Sequence, residues 1–121
     1  MSYMLLIVEP VGQRAERTEA QGREAYARMK AFGDRLQAEG KLRAVESLAG
    51  LGDAVRVSAA PGAQRRIDGP FAEAKEMVGG FYLLDGVSRD EAIALAQQCP
   101  AAQWATVEVR SLAPCYDESQ A

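Results

Sequence analysis

Residues 68 to 76 read Asp-Gly-Pro-Phe-Ala-Glu-Ala-Lys-Glu, and they gather around a tight turn several groups able to move a proton or grip a charged ligand. Asp68 enters a Gly69-Pro70 turn, and Lys75 and Glu76 follow it. A carboxylate in that position has two uses. It can accept backbone N–H groups and fix the turn, as aspartate commonly does. It can also sit in a pocket as a general acid or base, a role worth about 10²–10⁴-fold in rate. We take Asp68 as the candidate catalytic residue. Gly69, Pro70, Phe71, Lys75 and Glu76 are taken as candidate ligand-binding neighbours. Glu46 and Tyr82 complete the set from two proposed strands. Each has a plainer reading: solvated charges for Glu46, Lys75 and Glu76, and a half-buried strand aromatic for Tyr82.

The chain contains no histidine. That excludes a Ser-His-Asp or Cys-His unit and any histidine-ligated zinc or haem. Acid–base work then falls to Asp, Glu, Lys, Tyr or Cys. No spacing of carboxylates reads as a calcium loop, so neither a metal nor a cofactor is expected. Cys99 and Cys115 are the only cysteines, and their spacing is not a Cys-x-x-Cys pattern. Two reduced thiols in a cytoplasmic protein are expected. Net charge is −3, which argues against a nucleic-acid surface. No apolar run approaches the ~18 residues of a membrane span, and no leader segment is expected at the N-terminus.

At 121 residues the chain suits one domain with one core. Residues 3 to 9 form an apolar run stopped at Glu9-Pro10, which predicts a buried strand. A polar loop follows from Val11 to Arg17. Thr18-Glu19-Ala20-Gln21 fits a capping box and starts a helix. Tyr26, Met29, Phe32, Gly33 and Leu36 recur along it at helical spacing, and Gly40 ends it. This stripe predicts core packing, with Gly33 admitting close approach to a sheet. A second strand is expected over residues 42 to 48. A hairpin is expected from 54–58 and 64–68 around Pro61-Gly62. Gly79-Gly80 opens the strand from Met77 to Asp85 and signals a bulge or a close backbone approach. Ser88-Arg89-Asp90-Glu91 predicts a second capping box, and the helix it begins stops at Pro100. Trp104 is expected in core or interface. The alternating Thr106 to Arg110 closes the sheet.

The order is β, α, β, hairpin, β, α, β. It predicts an α+β fold: a ferredoxin-like split βαβ with an inserted β-hairpin, one domain over residues 1–112 and a polar tail over 113–121. Two helices cover one sheet face. The other would stay bare unless a second copy covered it, so a homodimer is expected.

The segment from Asp68 to Glu76, followed by Gly79-Gly80-Phe81-Tyr82, resembles the DGPF-type branch of the YCII-related family. The opening Tyr3-Met4-Leu5-Leu6-Ile7 is similar to the same family. So are Asp90-Glu91-Ala92-Ile93, Cys99-Pro100-Ala101-Ala102 and Val107-Glu108-Val109-Arg110. The resemblance spans roughly residues 3 to 112, in the family's order. It implies a dimeric α+β barrel and a bacterial cytoplasmic protein, of a branch commonly encoded beside alternative sigma factors. In the related YciI-like branch a His and Asp pair is the proposed active site, and a chloromuconolactone dehalogenase belongs to the wider family. The absence of histidine here departs from that pattern. Three functions follow as expectations: small-molecule binding near the Asp68 turn, a cofactor-free lyase or isomerase using Asp68, or a regulatory partner in sigma-factor control.

Overall fold

The structure, a computed structural model, describes residues 1–117. Six strands and two α-helices follow one another as β1 (Tyr3–Pro10), α1 (Glu19–Ala38), β2 (Leu42–Ser47), β3 (Val55–Ala60), β4 (Ala63–Asp68), β5 (Glu76–Leu84), α2 (Arg89–Gln98) and β6 (Thr106–Ser111). Four of the strands make one sheet in the order β2-β5-β1-β6, each neighbour antiparallel. The other two, β3 and β4, make a separate hairpin. The fold is therefore mixed α+β. The expected tail falls partly outside the described residues, which stop at Asp117.

Strand β1 alternates along its whole length. Tyr3, Leu5, Ile7 and Glu9 are buried, while Met4, Leu6 and Val8 are half-buried. Because strand side chains alternate between faces, the first set lies under the helices and the second on the opposite face. The register puts Leu5 beside Tyr82 of β5 and Val109 of β6 on the helix side. The core closes there on Leu5, Leu36, Leu84 and Cys99, all nearly inaccessible to solvent.

Helix α1 opens with the expected capping box. Thr18 Oγ1 accepts from the Gln21 N–H at 3.1 Å, and the Gln21 side chain accepts from the Thr18 N–H at 2.9 Å. Helix α2 keeps only half of its box. Ser88 Oγ accepts from the Glu91 N–H at 3.1 Å, but the Glu91 carboxylate turns instead to the Lys41 ammonium at 2.8 Å. Lys41 also meets Glu39 at 2.9 Å, so a long-range ion cluster outcompetes the local cap.

The apolar stripe of α1 is shorter than its spacing predicts. Phe32, Gly33 and Leu36 are buried and Met29 packs partly against the core, but Tyr26 is 62% exposed. Gly33 does admit a close approach: a Cβ there would touch the Tyr82 ring at 3.4 Å. Tyr82 uses that space to pack edge-on against Phe32, with ring centroids 5.3 Å apart. Its hydroxyl donates to the Met29 carbonyl at 2.6 Å, which locks helix to sheet.

Candidate functional site

The sheet and α1 part company toward the C-terminal end of β1, and a cavity of about 520 Å³ opens between them. Its size lies in the range of small-ligand pockets. The sequence of α1 creates it. Gly22, Ala25 and Gly33 present little or no side chain toward the cleft, so the helix cannot fill the space. Tyr26 and Met29 line the same wall, Val45 and Ser47 of β2 face them, and Ile7, Gly80 and Tyr82 also line it.

The alternation of β1 carries a carboxylate into this space. Glu9 is the fourth inward residue after Tyr3, Leu5 and Ile7, and it is only 5% exposed. Buried glutamate is rare unless it is paired. Its partner comes from five residues downstream. After Pro10 the chain turns through Gly12, whose φ of +91° favours glycine, into a 3₁₀ turn, Arg14–Glu16. That reversal lays the Arg14 guanidinium over the carboxylate. Arg14 Nε and Nη2 both donate to Glu9 Oε1, at 3.0 and 2.5 Å. The remaining reach of Arg14 goes to backbone: Nη1 donates to the Leu48 carbonyl at 2.8 Å, and Nη2 to the Gly79 carbonyl at 3.3 Å.

Gly79 makes this nest sterically possible. The pairing of β1 with β5 jumps from Ile7–Gly80 to Val8–Val78, so Gly79 is the extra residue of a β-bulge. A Cβ on Gly79 would overlap Glu9 Oε1 and lie 2.8 Å from the carboxyl carbon and 2.9 Å from Arg14 Nη2. Gly80 is equally constrained, since a Cβ there would lie 2.7 Å from the Glu46 carbonyl oxygen. The close approach expected of the paired glycines is thus to a carboxylate on one side and to strand β2 on the other.

Both Arg14 bonds fall on one oxygen. Among the described residues no group donates to Glu9 Oε2, and no fully buried side-chain oxygen lacks a partner, so Oε2 keeps some solvent access in a residue that lines the cleft. The result is a carboxylate oriented by a cation, with one acceptor oxygen facing a largely apolar cavity. A base held by a second group and aimed into a pocket is the usual geometry of acid–base chemistry.

The residues expected from the sequence divide. Glu46 and Tyr82 line the cleft. The Tyr82 hydroxyl is committed to Met29, and burial pushes its pKa well above the usual value of 10, with the neighbouring Cys99 thiol adding to the rise. Tyr82 therefore offers the cleft its ring. Asp68, Gly69, Pro70, Phe71, Lys75 and Glu76 do not line the cleft. The Asp68 side chain is 68% exposed and pairs with Arg66 on the same strand at 3.0 Å. Gly69 donates to the Ala54 carbonyl at 2.7 Å and packs so tightly on the Leu51 carbonyl that no side chain would fit; the Gly69–Pro70 peptide is cis. Phe71 is buried beneath the Arg56 guanidinium, 3.8 Å above its ring. No group of three or more carboxylates or cysteines that could hold a metal occurs among the described residues.

Glu9, Arg14 and Arg17 line the cleft and belong to none of the sequence motifs. A signal for Glu9 exists: it continues the inward period of β1 by one step, in a strand otherwise apolar on that face. Arg17 and Trp104 also line the cleft, and the Arg17 guanidinium lies 5.6 Å from the centre of the Trp104 ring.

A small α+β domain with a charged, one-sided cleft under its longer helix is the class these features define. The YCII-related domain matches residues 1–115, and the chain belongs to that family. An uncharacterized protein of Rhizobium meliloti (strain 1021) is 42% identical over 76 residues, which cover 61% of each chain. The match thus spans about three-fifths of that relative's length. No helix among the described residues is long and apolar enough to cross a membrane.

The ion pair should respond asymmetrically to substitution. Arg14→Met strands a carboxylate that is 6% exposed, whereas Glu9→Gln leaves a guanidinium 38% exposed that water can reach. Urea unfolding at neutral pH should show a loss of about 2–3 kcal/mol for Arg14→Met, the low end for a broken buried pair because Arg14 is partly solvated. Glu9→Gln should cost clearly less, and the double substitution should recover part of the Arg14→Met loss. Equal losses for the two single variants would contradict this.

Tyr82 gives a pH signature. Its pKa is raised in the folded chain, so the unfolded chain releases the phenolic proton first as pH rises. The stability this provides is complete below the unfolded value of about 10 and is lost as pH climbs above it. Denaturation midpoints measured between neutral pH and pH ~11 should fall more steeply in the native protein than in Tyr82→Phe. Parallel curves would rule the effect out.

Proposed function

We propose that the protein binds a small organic molecule in the cleft between α1 and the β2–β5–β1 part of the sheet, and that Glu9 Oε2 accepts a hydrogen bond or a proton from it. The observation that carries this reading is the buried carboxylate, oriented by Arg14, with its free oxygen facing the cavity. Without histidine in the chain, a positioned glutamate is a sufficient base for cofactor-free lyase or isomerase chemistry. Asp68, the other candidate base, has weaker support, since it is exposed and engaged with Arg66. Its Asp-Gly-Pro-Phe segment supports assignment to the DGPF-type branch.

Phenol and anisole separate an acceptor site from a merely apolar hole, because only phenol can donate to Glu9. Ligand-observed NMR should show phenol binding several-fold tighter than anisole. The preference should shrink in Glu9→Ala. Both probes should be expelled by Ala25→Trp, which fills the cleft from the helix side. Equal binding of the two probes, or binding indifferent to Ala25→Trp, would sink the proposal.

A second copy of the chain is the cover we propose for the opposite sheet face. Met4, Leu6, Val8, Phe81 and Leu83 lie together there, half-buried in the single chain, with Val78 41% exposed beside them. The strand order β2-β5-β1-β6 supports the ferredoxin-like topology, in which two such sheets can stack as a dimeric barrel. Light scattering coupled to size exclusion should give twice the chain mass, and Leu6→Glu should shift it to the single-chain mass. A native protein of single-chain mass at micromolar concentration would exclude the dimer.

A further inference from the structure

The charges around the cleft are not balanced in pairs. Glu9 is matched by Arg14, and Lys30 by Asp34 at 3.1 Å. Among the described residues no carboxylate pairs with the Arg17 side chain, whose one hydrogen bond there is a long one, from Nη2 to the Gln13 side-chain oxygen at 3.4 Å. Arg17 lies against the indole of Trp104, and a second guanidinium, that of Arg28, lies over the same ring at 5.1 Å. Among the described residues the Arg28 guanidinium too is bonded only to a neutral amide, the Gln103 oxygen at 3.0 Å. Two cations thus share one aromatic ring. The indole attracts each of them, but by about 0.5–2 kcal/mol apiece, and it removes no charge.

The backbone that carries this ring is itself tied down on both sides of the peptide. The Trp104 carbonyl accepts from the Gln13 side chain at 2.7 Å, and the Trp104 backbone N–H donates to the carbonyl of fully buried Ala101 at 3.1 Å. Gln13 therefore ties the turn that carries Arg14 and Arg17 to the platform on which Arg17 rests. A guanidinium drawn to an aromatic face still has N–H groups to offer a planar, two-point acceptor.

We infer that the ligand is an organic acid whose carboxylate is gripped by Arg17 on the Trp104 platform, while its apolar body fills the cleft and a donor at its far end reaches Glu9. This rests on the cleft reading above and names the ligand class for it. A single negative charge fits better than a phosphate. Among the described residues Arg17 is the one cleft cation without an acidic partner, and Glu9 and Asp34 along the lining oppose further negative charge. Because Glu9 is neutralised by Arg14, a carboxylate can enter the same cavity provided its uncharged end points inward.

Phenol, para-hydroxybenzoate and para-hydroxybenzylamine test this with one ring and one donor in common. NMR titrations of the full chain at low salt should give para-hydroxybenzoate about tenfold tighter binding than phenol, the worth of one charge-assisted contact. The amine should bind no better than phenol. Arg17→Gln should abolish the advantage of the acid and leave phenol unchanged. Arg17→Lys should retain only part of it. Salt at ~1 M should erode it as well, since screening then acts over ~3 Å. If phenol binds and is expelled by Ala25→Trp but the acid binds no tighter, or the amine binds best, the carboxylate inference is overturned and the cleft reading stands. If Arg17→Gln weakens phenol and acid equally, Arg17 only props the site and the inference falls. If none of the three binds, both readings fall.

Discussion

Burying one carboxylate constrains more of this molecule than any other single event. Glu9 enters the protein interior because β1 alternates without a break, and the interior then has to answer its charge. The answer is Arg14, delivered by a turn that needs Gly12 in a left-handed conformation. Room for the pair is made by Gly79, which is squeezed out of the β1–β5 register and can bear no side chain. The same arginine reaches the Leu48 carbonyl just past β2, so the pair also fastens the edge of the sheet. Coulomb attraction in a poorly solvated place offsets the desolvation of both groups only when such geometry is kept. That requirement explains why four separate backbone segments converge on one side chain.

The cleft is the complementary consequence. Helix α1 is held to the sheet near its middle by Phe32, Gly33 and Leu36 and by the Tyr82 hydroxyl on the Met29 carbonyl. Toward its start it carries Gly22 and Ala25, which do not reach the sheet. Packing is therefore tight at one end of the helix and open at the other, and the open end lies over Glu9. A filled interior there would have sealed Oε2 without a partner, at a cost of about 1–3 kcal/mol. The cavity and the half-satisfied carboxylate are two aspects of one arrangement.

Most of the frame could be read from local patterns. The apolar run at Tyr3 to Val8, the capping residues Thr18 and Ser88, and the turn at Pro61-Gly62 each act over a few residues, and each marks an element of the structure. What local patterns miss depends on partners far along the chain. The Glu91 side chain leaves its cap for Lys41, fifty residues away. Tyr26 holds a position on the apolar stripe of α1 but stays exposed, because the sheet beneath it has fallen away into the cleft. Glu9 reads as the polar end of a strand; only the pairing that brings Arg14 and Gly79 around it makes it a site. Glu46 and Tyr82 reach the cleft, yet nothing in their neighbours along the chain distinguishes them from solvated or packed strand residues.

The segment from Asp68 to Glu76 acquires its meaning from this geometry. Its two ends are tied by backbone hydrogen bonds, Gly69 N–H to the Ala54 carbonyl and Val11 N–H to the Lys75 carbonyl. Between them Phe71 is pinned under Arg56. The second tie joins the start of β5 to the residue directly after Pro10, where β1 ends beside Glu9. Strand β5 then runs from Glu76, and three residues on it reaches the bulge at Gly79. A slip by one residue that put Val78 in the place of Gly79 would bring its side chain against the carboxylate. This cluster of ionisable groups thus bears on the chemistry of the cleft without lining it, by fixing the register that leaves room for Glu9.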